Sequence, residues 1–445
     1  MGLLAAVAAS NFHAYAGSSW DGRTPAEYVL TVETDRPDAM YHKGETVTFN
    51  IEVQDNKQPA KDGAVDWVIS KDGLQPPMQK GTATLQGGKA SVTGTMNDPG
   101  FLRCDATYKH DKDIVTAPAA AAIDPSEIKP SMPVPDDFDA FWAAKKKELA
   151  AVPINPKLTP VPAPPDRPGV ETFDIQADCV GAPISGYYAR PKGAKPKSCV
   201  AMLMVDGAGV LSTDLLAPTR WAQKGLLTLD INAHGIPNGK PKDFYAALAN
   251  GALKDYRTHG RESRDTYYFL GMYLRVLRGL DFLAAQPEWD GHTLFIEGTS
   301  QGGAQAVAGA ALDPRVTFLE AGSMAQCDHT GMVANRIPGW PKLVPMGSDG
   351  KPDPAVLQAS RYFDSVNFAS RVKVPAYIWI GFLDSVTPPT GCYAAYNAMT
   401  CPKELKVDPS HGHGRPAPDY WNAVTQVTMA QVAKQAKPQT AVGSP

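Results

Sequence analysis

Thr293-Leu-Phe-Ile-Glu-Gly-Thr-Ser-Gln-Gly-Gly-Ala-Gln-Ala-Val-Ala-Gly-Ala-Ala-Leu312 is the stretch on which the reading of this chain turns. Residues 293–297 form a short apolar run and read as a buried strand. Residues 304–312 are alanine-rich and read as a helix. Between them Gly298-Thr-Ser-Gln-Gly302 fits G-x-S-x-G, whose small residues let strand and helix backbones nearly touch. Such a turn strains its serine and presents Oγ at a helix N-terminus, where backbone N–H groups and the helix dipole favour a developing anion. G-x-S-x-G alone occurs by chance. With a strand before it and a helix after it, Ser300 is a candidate nucleophile rather than one residue of a glycine-rich turn.

A serine hydroxyl is a poor nucleophile at neutral pH and needs a base, which in turn needs a group to orient it. Behind an elbow of this kind the chain order is Ser, acid, His. Three histidines follow Ser300, namely His329, His411 and His413. His329 comes too soon. His411-Gly412-His413-Gly414 is a glycine-flanked loop near the C-terminus; His413 is the preferred base, with His411 as its rival and otherwise a neighbour. The acid belongs in the loop after the preceding strand. Residues 376–380 read as that strand and lead into Gly381-Phe-Leu-Asp384, with Ser385-Val-Thr-Pro-Pro389 as a turn behind. Asp384 is therefore the candidate acid; Asp328 is the weaker rival, read as a loop residue supporting the site. An oxyanion hole needs two backbone donors. One is expected from Gln301, the other from Asp206-Gly207-Ala208-Gly209, where Ala208 is preferred and Gly207 is the alternative.

Around this site the pattern alternates. Runs at 198–205 and 225–231 read as further buried strands, and 267–285 as a helix with Tyr273, Val276, Leu277, Leu280 and Leu283 on one face. Strand and helix in alternation mean a parallel sheet covered on both faces, with its chemistry at the strands' carboxyl ends. The expected fold is α/β: an α/β-hydrolase with a mostly parallel, doubly wound sheet, spanning 136–435. Its first helix carries Phe138, Phe141, Trp142 and Leu149 on one face behind an Asp136-Asp137 cap.

Upstream, a proline-rich linker is expected over 125–135 and an all-β, immunoglobulin-like sandwich over 20–124. The sandwich strands are read at 28–32, 46–53, 65–69, 89–93 and 102–108, with Trp67 in the core. At the N-terminus, Leu3-Leu-Ala-Ala-Val-Ala-Ala9 and Ala14-Tyr-Ala16 resemble an export signal over 1–17 without its basic region, which points to a secreted or periplasmic protein. A plain disordered terminus is the other reading. Residues 436–445 are expected to be a disordered tail.

Composition narrows the function. The 445 residues are 43% hydrophobic and 20% charged, with a net charge of −3, as in a soluble globular protein of two or three domains. The near-balanced charge and the lack of a basic block argue against a nucleic-acid partner. No run approaches the roughly 20 apolar residues of a membrane span, so no membrane partner is expected. Six cysteines show no zinc spacing, and no metal is expected. Cys392 and Cys401 either bridge or, like the others, stay as buried thiols.

Gly298-Thr-Ser-Gln-Gly-Gly303 together with Ala310-Ala-Leu-Asp-Pro-Arg-Val316 resembles the acetyl xylan esterase and cephalosporin C deacetylase family. So do Gly381-Phe-Leu-Asp384, Ala394-Ala-Tyr-Asn397 and Asp137-Phe-Asp-Ala-Phe-Trp142. The resemblance covers roughly 130–430. It implies a serine esterase that removes acetyl groups from carbohydrate without metal or organic cofactor, and it favours His413. There are departures. Asp206-Gly207-Ala208 stands where the family usually has His-Gly-Tyr, Asn232-Ala-His234-Gly235 where it has an Arg-Gly-Gln-Gly-like turn, and Gly414 where Glu is common. Three other readings compete: a prolyl-oligopeptidase-like serine peptidase, a glucuronoyl esterase, and a catalytically dead carbohydrate-binding protein. The peptidase's propeller would need several hundred residues, the glucuronoyl esterase would carry Arg at position 301, and the ordered Ser, Asp and His argue against a dead site.

Overall fold

In the computed structural model, residues 28–60, 63–414 and 419–435 are described. The export segment and the tail expected at the two ends lie outside them. Alternating inward side chains along 28–123 build two sheets. One pairs Tyr28–Thr34, Thr46–Asp55, Gln58–Pro59 and Lys89–Thr95. The other holds Met40–Tyr41, Ala64–Lys71, Gln79–Thr84, Gly100–His110 and Asp113–Ile123. Val47, Phe49, Ile51 and Val53 of the first share one core with Val65, Ile69, Leu102 and Cys104 of the second. This is the expected sandwich, except that Trp67 is only half-buried, lying against Gly81 at the edge.

Among the described residues the larger sheet has nine strands: β1 (Lys157–Val161), β2 (Val170–Ala177), β3 (Ile184–Pro191), β4 (Cys199–Val205), β5 (Leu227–Ile231), β6 (Trp289–Thr299), β7 (Phe318–Gly322), β8 (Ala376–Gly381) and β9 (Lys403–Asp408). They lie in the order β1-β2-β3-β5-β4-β6-β7-β8-β9. The first three pairings are antiparallel and the rest parallel. Every residue of β5, β7 and β8 is buried, as a sheet covered on both faces requires. From β4 the chain steps outward to β5 and then returns to β6 on the other side. The carboxyl ends of β4 and β6 therefore flank a topological switch point, where α/β sheets open a crevice.

The helix Phe138–Ala150 buries Phe138, Phe141, Trp142 and Leu149, the four positions its spacing singled out. Its cap differs from expectation. Asp137 holds the N-cap position, but its side chain makes no cap bond; it accepts instead from Arg264 (2.6 Å) and from the Tyr362 hydroxyl. A charged partner outcompetes the helix's own N–H groups here.

The proline-rich segment is strapped down rather than free. Ser131 donates to Asp328 through its backbone N (2.9 Å) and its Oγ (2.5 Å), and Asn397 donates to the carbonyls of Pro125 and Ile128. The sandwich also packs on the α/β unit. Phe101, on the strand Gly100–His110, meets Phe382 edge-on at 5.0 Å between centroids, and Thr390 donates to the half-buried Asp72. All six cysteines stand as free thiols, with no bridge from Cys392 to Cys401.

Candidate active site

The elbow forms because glycine alone fits its contacts. A Cβ on Gly302 would lie 2.2 Å from the Val205 carbonyl oxygen, and one on Gly298 would lie 2.3 Å from that of Gly302. Strand β6 and the helix Gln301–Leu312 can thus meet at Ser300, whose φ of 62° and ψ of −123° fall where a residue with a side chain is strained. The turn is pinned by Ser300 N donating to the Gly322 carbonyl at 2.9 Å and by Ala325 N donating to the Ser300 carbonyl at 2.9 Å.

Three of the expected residues come together. Ser300 Oγ is 3.0 Å from His413 Nε2, and His413 Nδ1 is 2.8 Å from Asp384 Oδ2. Asp384 is buried. Its Oδ1 accepts from the backbone of Val386 (2.9 Å) and Thr387 (2.8 Å), and its Oδ2 also accepts from Thr387 Oγ1 (2.6 Å). A carboxylate oxygen accepts, so Nδ1 carries the imidazole proton and Nε2 is left to take one from the serine. Thr387 was not singled out from the sequence; a Thr three residues beyond the acid, in the turn that presents it, is the signal that was there. The acid and histidine loops are tied by Leu383 N donating to the His411 carbonyl at 2.9 Å. Gly381 lets them meet, since a Cβ there would lie 2.6 Å from that oxygen.

The rivals point elsewhere. His411 lies against the Trp379 ring at 5.1 Å, and burial pushes its pKa down. His329 is wholly buried, with its backbone N donating to Asp364 at 2.7 Å. Asp328 accepts from Ser131 and from Arg336 (3.3 Å), so these side-chain bonds brace the proline-rich strap rather than the Ser300 site.

The expected oxyanion donors lie on both sides of the switch point. Gln301 opens the nucleophile helix, whose first-turn N–H groups have no partner within the helix. Gly207 and Ala208 are exposed in the loop after β4. That loop is held to the helix by Gln305 Nε2 donating to the Asp206 carbonyl at 2.9 Å and, more weakly, by Gln301 Nε2 to that of Gly207 at 3.5 Å. The arrangement is suited to acyl transfer: a serine hydroxyl at a helix N-terminus, an imidazole with a fixed tautomer beside it, and first-turn N–H groups of that helix with no partner within it.

Residues 124–429 match the acetyl xylan esterase (AXE1) family. The chain is 32% identical over 401 residues to the acetyl esterase Axe7A of Xylanibacter ruminicola, covering 87% of each protein. Among solved structures it is similar to the acetyl xylan esterase from Paenibacillus sp. R4, with a TM-score of 0.60 and 27% identity, covering 69% of this chain and 98% of that one. Acetyl xylan esterase 1 from Thermoanaerobacterium sp. JW/SL YS485 shares the fold at a TM-score of 0.55 and 21% identity, covering 69% of this chain and 97% of its own. The elbow, the parallel sheet and the family match over most of the chain agree, and this chain belongs to the acetyl xylan esterase family, an esterase on the α/β-hydrolase fold.

Proposed function

We propose that this protein removes acetyl groups from carbohydrate hydroxyls through a Ser300–His413–Asp384 triad and an acyl-enzyme. The observation that carries the reading is the continuous chain Asp384 Oδ2, His413, Ser300 Oγ, with spacings of 2.8 and 3.0 Å. Ser300 Oγ attacks the acetyl carbonyl carbon while its proton passes to His413 Nε2. The carbonyl oxygen becomes an oxyanion that accepts from the N–H groups of Gln301 and Ala208. As the tetrahedral adduct collapses, the bond to the sugar oxygen breaks and His413 returns the proton to that oxygen. Water, deprotonated by His413, then attacks the acetyl-serine ester; acetate leaves and Ser300 regains its proton. Asp384 holds the imidazole and stabilises its cationic form throughout. No metal or organic cofactor enters any step.

The substrate class rests on the family and on the relatives, which are named as acetyl and acetyl xylan esterases. Acetylated xylan-type or oligosaccharide substrates suit a nearly uncharged enzyme, and a polymeric substrate places its work outside the cell or in the periplasm. Ser300→Ala should lower acetate release from acetylated xylan and from p-nitrophenyl acetate by roughly a thousandfold or more. Unchanged release in the folded variant would overturn the reading. A panel of acetylated xylan, acetylated pectin, cephalosporin C and a proline-containing peptide ester ranks the alcohol side of the substrate.

A further inference from the structure

His234, in the turn after β5, is buried and touches neither Ser300 nor the other two members of the triad in its hydrogen bonds. Its Nε2 lies 2.9 Å from the Gly209 carbonyl oxygen and its Nδ1 lies 2.8 Å from the Tyr268 hydroxyl. A carbonyl oxygen only accepts, so Nε2 carries the hydrogen, and Nδ1 of the neutral ring accepts from Tyr268. Burial lowers the pKa to about 4, which keeps the ring neutral at neutral pH. The next backbone carbonyl, that of Ala233, is gripped by Arg275 through Nε (3.0 Å) and Nη2 (2.6 Å). His259 lies edge-on against the far side of Tyr268.

Gly209 ends the loop 206–209, and its φ of 143° is one that a residue with a side chain rarely adopts. Ala208, one of the two oxyanion donors proposed above, immediately precedes it and is exposed. On the other side of His234, the Tyr256 ring meets the imidazole edge-on at 4.5 Å between centroids. Tyr256 donates its hydroxyl to Gln301 Oε1 at 2.6 Å. Gln301 supplies the second oxyanion donor through its backbone. One cluster, the buried His234 and Tyr256 with the half-buried Tyr268, therefore stands behind both halves of the hole.

We propose that His234 is the positioning residue of the oxyanion site, its Nε2–H clamping the Gly209 carbonyl so that the preceding N–H groups stay aimed at the developing anion. The proposal rests on the acyl-transfer reading above. An oxyanion exists only in the tetrahedral state, so a slack loop costs turnover rather than substrate binding.

The test compares His234→Phe, which keeps the ring's bulk but has no donor, with His234→Gln, which keeps a donor on a shorter reach. Measured for each are kcat and KM on p-nitrophenyl acetate and the inhibition constant of methylboronic acid, which forms a tetrahedral adduct with the serine. His234→Phe should lower kcat roughly tenfold to a hundredfold with KM within about twofold, and should weaken methylboronic acid by a similar factor. His234→Gln should recover part of both losses. A folded His234→Phe that keeps kcat and boronate affinity, or that loses only KM, overturns the proposal. Should His234→Phe fail to fold, Tyr268→Phe and His234→Gln carry the test through the same split: a kcat loss shared with the boronate supports the clamp, and wild-type values in both overturn it. An active Ser300→Ala would instead sink the acyl-transfer reading itself, which keeps the two failures apart.

Discussion

At the scale of single residues, the site is organised by who can donate. Asp384 accepts four hydrogen bonds, three of them from its own turn through Val386 and Thr387, so its oxygens are fixed before His413 arrives. That arrangement gives the imidazole one orientation rather than several, which is what the orienting role proposed for Asp384 requires. His329 shows the opposite situation. It is wholly buried, and burial alone pushes its pKa from 6.5 down to about 3. As pH falls below about 6.5 the unfolded chain takes up a proton that folded His329 refuses until about pH 3. Its contribution is therefore complete above pH 6.5 and is lost progressively towards pH 3. His329→Leu lacks that linkage, and removing a buried polar ring leaves the variant within about 1 kcal/mol of the parent at pH 7. At pH 4 it should be the more stable of the two by up to about 3 kcal/mol. Urea midpoints from pH 7 to pH 4 check this; parallel curves for the two proteins would refute it.

At the scale of elements, the elbow is where sequence and geometry agree most closely. Gly302 is held by backbone, not by a movable side chain: an added Cβ would lie 2.2 Å from the Val205 carbonyl oxygen. Gly302→Ala should therefore cost more than about 4 kcal/mol or abolish folding. Gly207→Ala, whose Cβ would find nothing nearer than the Thr299 carbonyl at 3.7 Å, should fold. Soluble yield and circular dichroism distinguish the two. The strands that were hard to see are those whose partners decide them. Asp113–Ile123 contains Ala119, Ala120, Ala121 and Ala122, residues of high helix propensity, yet it pairs along its whole length with Gly100–His110. Burial between sheets outweighs local preference there. The antiparallel strand β1 went unread because four of its five positions are exposed and it shows no inward face in its pattern.

At the scale of the whole molecule, the sandwich is no loose appendage. Phe101 is buried against Phe382 and Tyr393, and Arg103 reaches the Leu383 carbonyl at 3.4 Å, so the sandwich backs the loop that ends in Asp384. Phe101→Ala should cost about 3–5 kcal/mol. It should also lower kcat in the folded fraction, because Phe382 sits two residues before the acid. Urea unfolding with acetate-release assays on the same samples measures both. Full activity per folded molecule would make the sandwich a neighbour only.

What the sequence determined by itself was everything written in short-range pattern. The apolar runs of four of the six parallel strands, the single face of Phe138–Ala150 and the G-x-S-x-G turn each state their local geometry, because period and glycine spacing act within a few residues. Chain order then ranked Ser300, Asp384 and His413 as partners. The tertiary structure decided what depends on contacts between distant segments. It set His413 rather than His411 against Ser300, gave Asp137 to Arg264 and Tyr362 instead of to its helix, and brought Thr387 to the acid. It also placed His234 and Tyr256 behind the two sides of the glycine loop and elbow, across separations that no local pattern spans.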